Sequence, residues 1–311
     1  MKVQTVILLT IVQFSIFAFG QENYEKTIKF HVHKQGKETF KSNFCNNCTL
    51  KKECPPSENL TLIVTDPNYD FAQDLINAFH TARGGCVMWM DFSIYKPPGK
   101  LAYGELFAHY EGINAVLLRK LKQLEEIGYD LANLFVYGYS FGSYQAITAG
   151  YRLGSKKIGR IDACDPSSDT WIANTTPVAF QHAFDAAVNV QCIHTSKLSG
   201  TTKRFCPKSI NMGKCGDQPY NPMELLVNWD GLAQELHDLC CKAYIASFTN
   251  DFKLVQKTQI ESKYGQTCST QQPVGTLPSS PTYTMGYRFD FSLPDGEYYA
   301  DLTRSSPYYV A

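Results

Sequence analysis

The stretch L-F-V-Y-G-Y-S-F-G-S-Y-Q-A-I-T-A-G, from Leu134 to Gly150, is an apolar run that enters Gly138-Tyr139-Ser140-Phe141-Gly142 and leaves as an Ala- and Gly-bearing helical pattern. A bare G-x-S-x-G occurs often by chance. One bracketed by strand and helix has a mechanical reason, because the serine must then sit in a sharp, strained turn and the two glycines leave room for it. In that geometry Ser140 presents its hydroxyl above the sheet, while the backbone N–H of Phe141, at the helix start, faces a developing oxyanion. The plainer reading is a Gly-rich loop in which Ser140 only caps the helix.

Working outward, Thr27 to His33 and Leu60 to Thr65 read as early strands, Asp70 to Thr81 as a helix and Cys86 to Asp91 as a buried strand. The spacing of Leu106, Ile113, Val116, Leu117, Leu121 and Leu124, with Lys120, Lys122, Glu125 and Glu126 among them, predicts one long amphipathic helix over Tyr103 to Ile127. Further strands fall at Ile158 to Cys164 and Val188 to His194, Thr267 to Pro281 is a polar loop, and short strand-like segments end the chain. There is no internal repeat and no charge block. Strands separated by helices imply an α/β protein with a mostly parallel central sheet and right-handed crossovers. A chain of 311 residues, 44% hydrophobic and 19% charged, fits one large domain of this class. Its net charge of zero argues against nucleic acid and against a strongly basic membrane-binding surface.

Lys2, the apolar run Val6 to Phe19, and Ala18-Phe19-Gly20 before Gln21 predict a secretory signal peptide over residues 1–20 and a mature domain over 21–311. The run is short for a membrane span, and no later segment approaches spanning length. Export makes disulfides the default state of the eleven cysteines, and their odd number leaves at least one thiol free or paired between chains. Cys240, Cys241 and Cys268 are candidates to tie the late helix to the C-terminal region. Cys45-x-x-Cys48 lacks a second pair at finger spacing, which disfavours zinc. Sequons at Asn47, Asn59 and Asn174 agree with export.

A nucleophilic serine needs a base and an orienting carboxylate, which on an α/β-hydrolase sheet follow in the order Ser, acid, His. Asp165 directly follows the strand R-I-D-A-C and precedes Pro166, which puts it at the same sheet edge as Ser140. Asp162, within the strand, and Asp169, farther into the loop, are rivals, and an Asp-Pro turn is the plainer role for Asp165. Of the seven histidines only His182, His194 and His237 lie beyond Asp165; His31, His33, His80 and His109 read as surface or packing residues.

Six segments then occur in one order. Met90-Asp91-Phe92 is like V-D-W, Gly138 to Gly142 like G-H-S-L-G, Ile161 to Pro166 like I-T-G-L-D-P, and Ile193-His194-Thr195 like I-H-T. Met285-Gly286-Tyr287 and Gly296-Glu297-Tyr298-Tyr299 are like M-G-Y and G-x-Y-Y. Over nearly all of its mature length the chain thereby resembles the pancreatic-lipase-like family, which includes triacylglycerol lipases, lipoprotein lipases, insect and wasp-venom phospholipases A1, and fly yolk proteins. The resemblance implies an α/β-hydrolase fold, hydrolysis of lipid esters by a Ser-Asp-His triad, and no metal or organic cofactor. His237 through Ser247 fits the family pattern H-x-R-S-x-x-Y-Y-x-x-S without a gap, so His237 is the implied base and His194 matches a non-catalytic histidine. A competing register puts Cys240 at the histidine position and leaves no base.

Two departures from the family bear on activity. The cysteines that clamp the family's lid have no counterpart after Pro219, where Glu235 stands in place of the second. The remaining segment from Asn221 reads as a capped helix start whose apolar Met223, Leu225, Leu226, Val227 and Trp229 either face a lipid interface or cover the site. The second departure is Thr65-Asp66-Pro67 where the family has H-G-F, the source of its first oxyanion N–H. Pro67 has no N–H to give, which leaves Asp66 or Asn68 as the donor after a shift of one residue. A short, unclamped lid and an end at Ala311 with no C-terminal β-sandwich domain favour the phospholipase A1-like branch over neutral-glyceride lipases. The rival expectation, a catalytically silent secreted lipid-binding or storage protein like the fly yolk proteins, rests on the missing H-G-F segment.

Overall fold

Runs of β-branched and aromatic residues with no polar break can only be satisfied as strands covered on both faces, and here they assemble into one twisted sheet. The structure, a computed structural model, describes residues 24–35, 37–42, 47–65, 71–96, 102–167, 178–196, 200–201, 204–212, 229–256 and 283–300. Its strands are β1 (Lys29–Lys34), β2 (Lys37–Ser42), β3 (Leu60–Val64), β4 (Cys86–Asp91), β5 (Phe135–Tyr139) and β6 (Ile158–Cys164). They continue with β7 (Ala187–His194), β8 (Lys208–Met212), β9 (Lys253–Gln256), β10 (Tyr283–Thr284) and β11 (Gly296–Ala300). The sheet order is β10-β9-β11-β8-β7-β6-β5-β3-β4-β1-β2. Every pair from β4 through β11 is parallel, and antiparallel β1-β2 and β9-β10 flank that run at its two edges. The chain thus has the mostly parallel α/β-hydrolase architecture expected of it, with β5 near the centre.

Among the described residues the helices are α1 (Asn47–Glu53), α2 (Ala72–Arg83), α3 (Ala102–Ala108), α4 (Tyr110–Glu126), α5 (Phe141–Leu153), α6 (Val178–Ala186) and α7 (Trp229–Ala246). One core joins α4, α5 and α6 to the sheet through Val116, Leu117, Leu121, Ile147 and Ala183; the other joins α2 and α7 through Leu75, Phe79, Leu236 and Tyr244. The single helix expected over Tyr103 to Ile127 is two helices. His109 stands between them with φ −92° and ψ 4°, its Nδ1 held 2.6 Å from the Tyr24 hydroxyl. A tertiary contact to the N-terminal segment here overrides a periodicity that alone would run on. The apolar stripe itself faces the core as its spacing requires, since Leu106, Ile113, Val116, Leu117, Leu121 and Leu124 are all buried.

Two polar clusters tie the sheet to its surroundings. Arg160, on β6, donates from Nε and Nη2 to the two oxygens of Asp162 (2.8 and 2.7 Å) and from its Nη atoms to the carbonyls of Tyr287 and Gly286 (2.8 and 2.7 Å). Tyr244 of α7 donates to the same Asp162 (2.5 Å), so this rival for the acid is fully engaged away from Ser140. Gly286 has φ +72°, and a Cβ there would lie 2.2 Å from Ser247 Oγ, which explains why Met285-Gly286-Tyr287 and Ser247 go together. At the far edge, Asp91 accepts from Ser93 N–H (3.0 Å) and Ser93 Oγ (2.7 Å) and lies 3.3 Å from His31 Nε2. His31 Nδ1 meets Glu38 at 2.7 Å. Among the described residues no helix is long and apolar enough to cross a membrane. The segments expected to be the signal peptide and the late polar loop lie outside the described residues.

The His31–Asp91 contact predicts a pH window. Burial works against the Asp91 charge, but hydrogen bonds from His31 and Ser93 outweigh it and take the carboxyl from its ordinary 3.8 to about 2. The hydrogen bond to Asp91 raises His31 above its ordinary 6.5, against desolvation and with Glu38 adding. The Asp91 contribution is complete above 3.8 and is lost as pH falls through about 2. The His31 contribution is complete below 6.5 and is lost as pH rises through its elevated folded value. Urea unfolding of Asp91→Asn should therefore show its largest deficit against the parent chain between about pH 4 and 6.5, shrinking on both sides. A deficit that stays constant from pH 2 to 9 would show that the pair is electrostatically idle.

Candidate active site

The site is built at the C-terminal edge of the parallel strands, where β5 turns into α5. Ser140 occupies that turn with φ 56° and ψ −125°, a conformation that costs a non-glycine residue on the order of 1–3 kcal/mol and persists only where surrounding packing imposes it. The glycines on either side are sterically required. A Cβ on Gly138 would fall 2.7 Å from Ser143 Cα, and one on Gly142 would fall 1.8 Å from the Val64 carbonyl oxygen of neighbouring β3. Ser140 N–H donates to Cys164 O (3.0 Å), which fastens the turn to the end of β6. Phe141 follows as the first residue of α5.

Asp165 comes next after β6 and also has positive φ, 39°, with its N–H donating to Ile193 O at the end of β7 (2.7 Å). Its carboxylate is fully buried and fully used. Oδ1 accepts from the backbone N–H groups of Thr195 (2.8 Å) and Ser196 (3.0 Å), and Oδ2 lies 2.5 Å from His237 Nδ1. Gly200 covers it so closely that a Cβ there would stand 2.5 Å from Oδ1. With Oδ1 taken by two backbone donors, Oδ2 accepts from His237 Nδ1–H, which selects the imidazole tautomer whose Nε2 is free to accept.

His237 projects from α7, and its Nε2 lies 2.7 Å from Ser140 Oγ. The Tyr139 ring lies beside the imidazole, centroids 4.7 Å apart, and the Tyr139 hydroxyl donates to Asp238 (2.8 Å), so the strand before the serine also steadies the helix that carries the histidine. Ser140, Asp165 and His237, 25 and 97 positions from first to second and first to third, thus converge with exposures of 3%, 0% and 2%. The arrangement can move the Ser140 proton to His237 while Asp165 holds the imidazole, the requirement for making an alcohol nucleophilic.

The other candidates fall elsewhere. His194 ends β7, buried, with no hydrogen bond to Ser140 or Asp165; burial first, then the charge of Arg204, holds it well below the ordinary histidine value and therefore neutral. Cys240 is not linked to the C-terminal region and does not stand at the base position; it is bonded to Cys164, the residue before Asp165. Two further disulfides join Cys54 to Cys86 and Cys192 to Cys206, and Cys241 is a buried free thiol in contact with the Tyr137 hydroxyl at 3.0 Å. Asp66, Pro67 and Asn68, the lid residues Met223, Leu225 and Leu226, and Asp169, Asn174, Cys45 and Cys268 lie outside the described residues. Trp229 opens α7 and Asn47 opens α1. Asn59 is exposed, its side chain donating to Arg83 O (2.6 Å), while Thr61 of the same sequon is buried in β3.

Reading the residues alone missed the Thr195 and Ser196 donors, the cover over Asp165 supplied by Gly200, and the Cys164–Cys240 link. Only the last left a signal in the chain, a cysteine directly before Asp165 and another three residues after His237.

No protein-family model matches this chain, and no curated protein does. Solved structures similar to it include a putative α/β hydrolase of unknown function from Agrobacterium tumefaciens, 20% identical with a TM-score of 0.33, covering 46% of this chain and 63% of that one. A lidless α/β serine hydrolase from Xanthomonas campestris is 14% identical at a TM-score of 0.30 over 57% of this chain and 67% of its own. A poly(3-hydroxybutyrate) depolymerase from Bordetella parapertussis is 14% identical at 0.30 over 60% and 67%. The present chain thus spans less than two thirds of the Agrobacterium protein, and its fold is defined by its own sheet order and strand-to-helix turn.

The Cys164–Cys240 bond closes a 76-residue separation between the strand that leads into Asp165 and the helix that carries His237. Replacing both cysteines by Ser should lower unfolding free energy by roughly 2–4 kcal/mol in denaturant titrations. A double variant as stable as the parent would show that packing alone holds α7 against β6.

Proposed function

We propose that the protein is a secreted serine carboxylic ester hydrolase acting on lipid esters. The observation that carries this reading is the relay Ser140 Oγ, His237 Nε2, His237 Nδ1, Asp165 Oδ2, with steps of 2.7 and 2.5 Å, at a strained strand-to-helix turn. In the reaction, the Ser140 proton passes to His237 Nε2 as Oγ bonds to the ester carbonyl carbon, and the carbonyl oxygen takes the displaced electron pair. The N–H of Phe141, at the start of α5, is the first donor to that oxyanion, aided by the positive end of the helix dipole. Collapse expels the alcohol, which takes the proton from Nε2. Water then attacks the acyl-enzyme, gives its proton to the same imidazole, and releases the acid with Ser140 restored. Asp165 accepts from His237 Nδ1–H throughout and fixes the tautomer.

Within the class, the resemblance to the pancreatic-lipase-like family supports a glycerolipid substrate, and the short, unclamped segment around Met223 to Trp229 supports the phospholipase A1 type ahead of triacylglycerol lipases. The signal-like residues 1–20, the sequons and the disulfides support an extracellular site of action. Asp66 or Asn68 is the proposed second oxyanion donor. Its loss would cost on the order of 10² to 10³ in rate, which slows an enzyme of this kind without silencing it.

Secreted protein treated with an alkyl fluorophosphonate should carry the adduct on Ser140, and His237→Ala should lose ester hydrolysis by at least ~10³-fold whereas His194→Ala keeps it. A folded protein unlabelled at Ser140 sinks the hydrolase reading and leaves the silent lipid-binding protein in its place. Given phosphatidylcholine and a triglyceride emulsion separately, the enzyme should turn over the phospholipid faster, and equal turnover removes the phospholipase preference.

A further inference from the structure

The nucleophile has a second hydroxyl neighbour. Ser167, two residues past Asp165, places its Oγ 3.0 Å from Ser140 Oγ and is 0% exposed. We infer that Ser167 is a fourth catalytic side chain, one that donates its hydroxyl proton to Ser140 Oγ while the Ser140 proton is drawn to His237; this rests on the hydrolase reading.

The direction of donation follows from proton counting. Asp165 Oδ2 accepts from His237 Nδ1–H, so Nε2 is an acceptor and the single Ser140 proton must point at it. Ser140 Oγ then has only lone pairs to offer Ser167, and Ser167 must be the donor. Among the described residues the Ser167 hydroxyl has no second hydrogen-bond partner. As the proton leaves Ser140, negative charge builds on Oγ, and a hydrogen bond to a charged oxygen is about twice as strong as one to a neutral hydroxyl. The interaction is therefore stronger on the way to the transition state than in the resting enzyme, which is what raises a rate instead of merely tightening binding. When Oγ leaves as the acyl-enzyme breaks down, the same donor meets the same charge again.

Ser167 is also held in place independently of Ser140. Its carbonyl accepts from the buried Tyr144 hydroxyl (2.5 Å), and its backbone pairs with Gly200 across an isolated bridge that lies over Asp165. The residue sits on the acid's loop and touches the nucleophile, so one loop supplies two of the groups around the reacting oxygen. A donor preset this way needs no reorganisation at the moment of reaction.

The test compares the parent chain, Ser167→Ala and Ser167→Thr in their rates of reaction with an alkyl fluorophosphonate, and in kcat and KM on a p-nitrophenyl ester. In the probe reaction Ser140 Oγ bonds to phosphorus, fluoride leaves, and the serine proton goes to His237, so the rate reads nucleophile activation directly. Ser167→Ala should be slower by roughly tenfold in both labelling and kcat, with KM and thermal midpoint near parental, and the hydroxyl of Ser167→Thr should restore most of the rate. Equal rates for Ser167→Ala and the parent overturn the role of Ser167 while leaving the hydrolase reading standing. A loss that appears in KM or thermal midpoint and not in kcat makes Ser167 structural and overturns it too. Failure of the parent chain itself to label overturns both.

Discussion

The hydrogen bond between Asp165 Oδ2 and His237 Nδ1 is the constraint on which the arrangement turns, because it joins a buried carboxylate on the sheet to an imidazole on a helix 72 positions later. A buried charge is tolerable only when it is well partnered, and three donors meet this one. Remove the imidazole and the carboxylate loses one of those partners; move α7 and the Ser140 hydroxyl loses its imidazole partner. The same contact thus serves the fold and the proposed chemistry.

Helix α7 is tied to strand β6 along its length. His237, Cys240 and Tyr244, with Ser247 just past the helix end, are spaced three, four and three residues apart, so they share one face of the helix. Each has a separate partner: Asp165, Cys164, Asp162 and the Met285-to-Tyr287 turn. The covalent link and the Arg160–Asp162–Tyr244 cluster bracket the relay from below, which holds the histidine without adding polar groups at the reacting edge. Dense tethering of this kind suits the proposed site, in which a 1 Å error in the base would cost much of the rate.

A second feature is economy around Ser140. The turn at Ser140 is strained, and its neighbours supply the force that keeps it so: Gly142 lets α5 press against the Val64 carbonyl, and Ser140 N–H is pinned to the end of β6. Asp165, also at positive φ, is pinned to β7 in the same way. Adjacent parallel strands place these two unusual residues side by side, since β5 and β6 end at the same edge in register from Tyr139 to Cys164.

Much of this was legible in the chain. Continuous apolar runs, G-x-S-x-G between strand and helix, and the order serine, acid, histidine follow from local periodicity and from steric rules that act over a few residues, so they need no knowledge of distant contacts. The engagement of Asp162 by Arg160 and Tyr244, the pairing of Cys240 with Cys164 in particular, the break at His109 and the approach of Ser167 to Ser140 were decided by the tertiary structure. Each depends on which side chains, separated by tens of residues, the sheet order brings within a few ångströms of one another, and no local pattern encodes a distance of that kind.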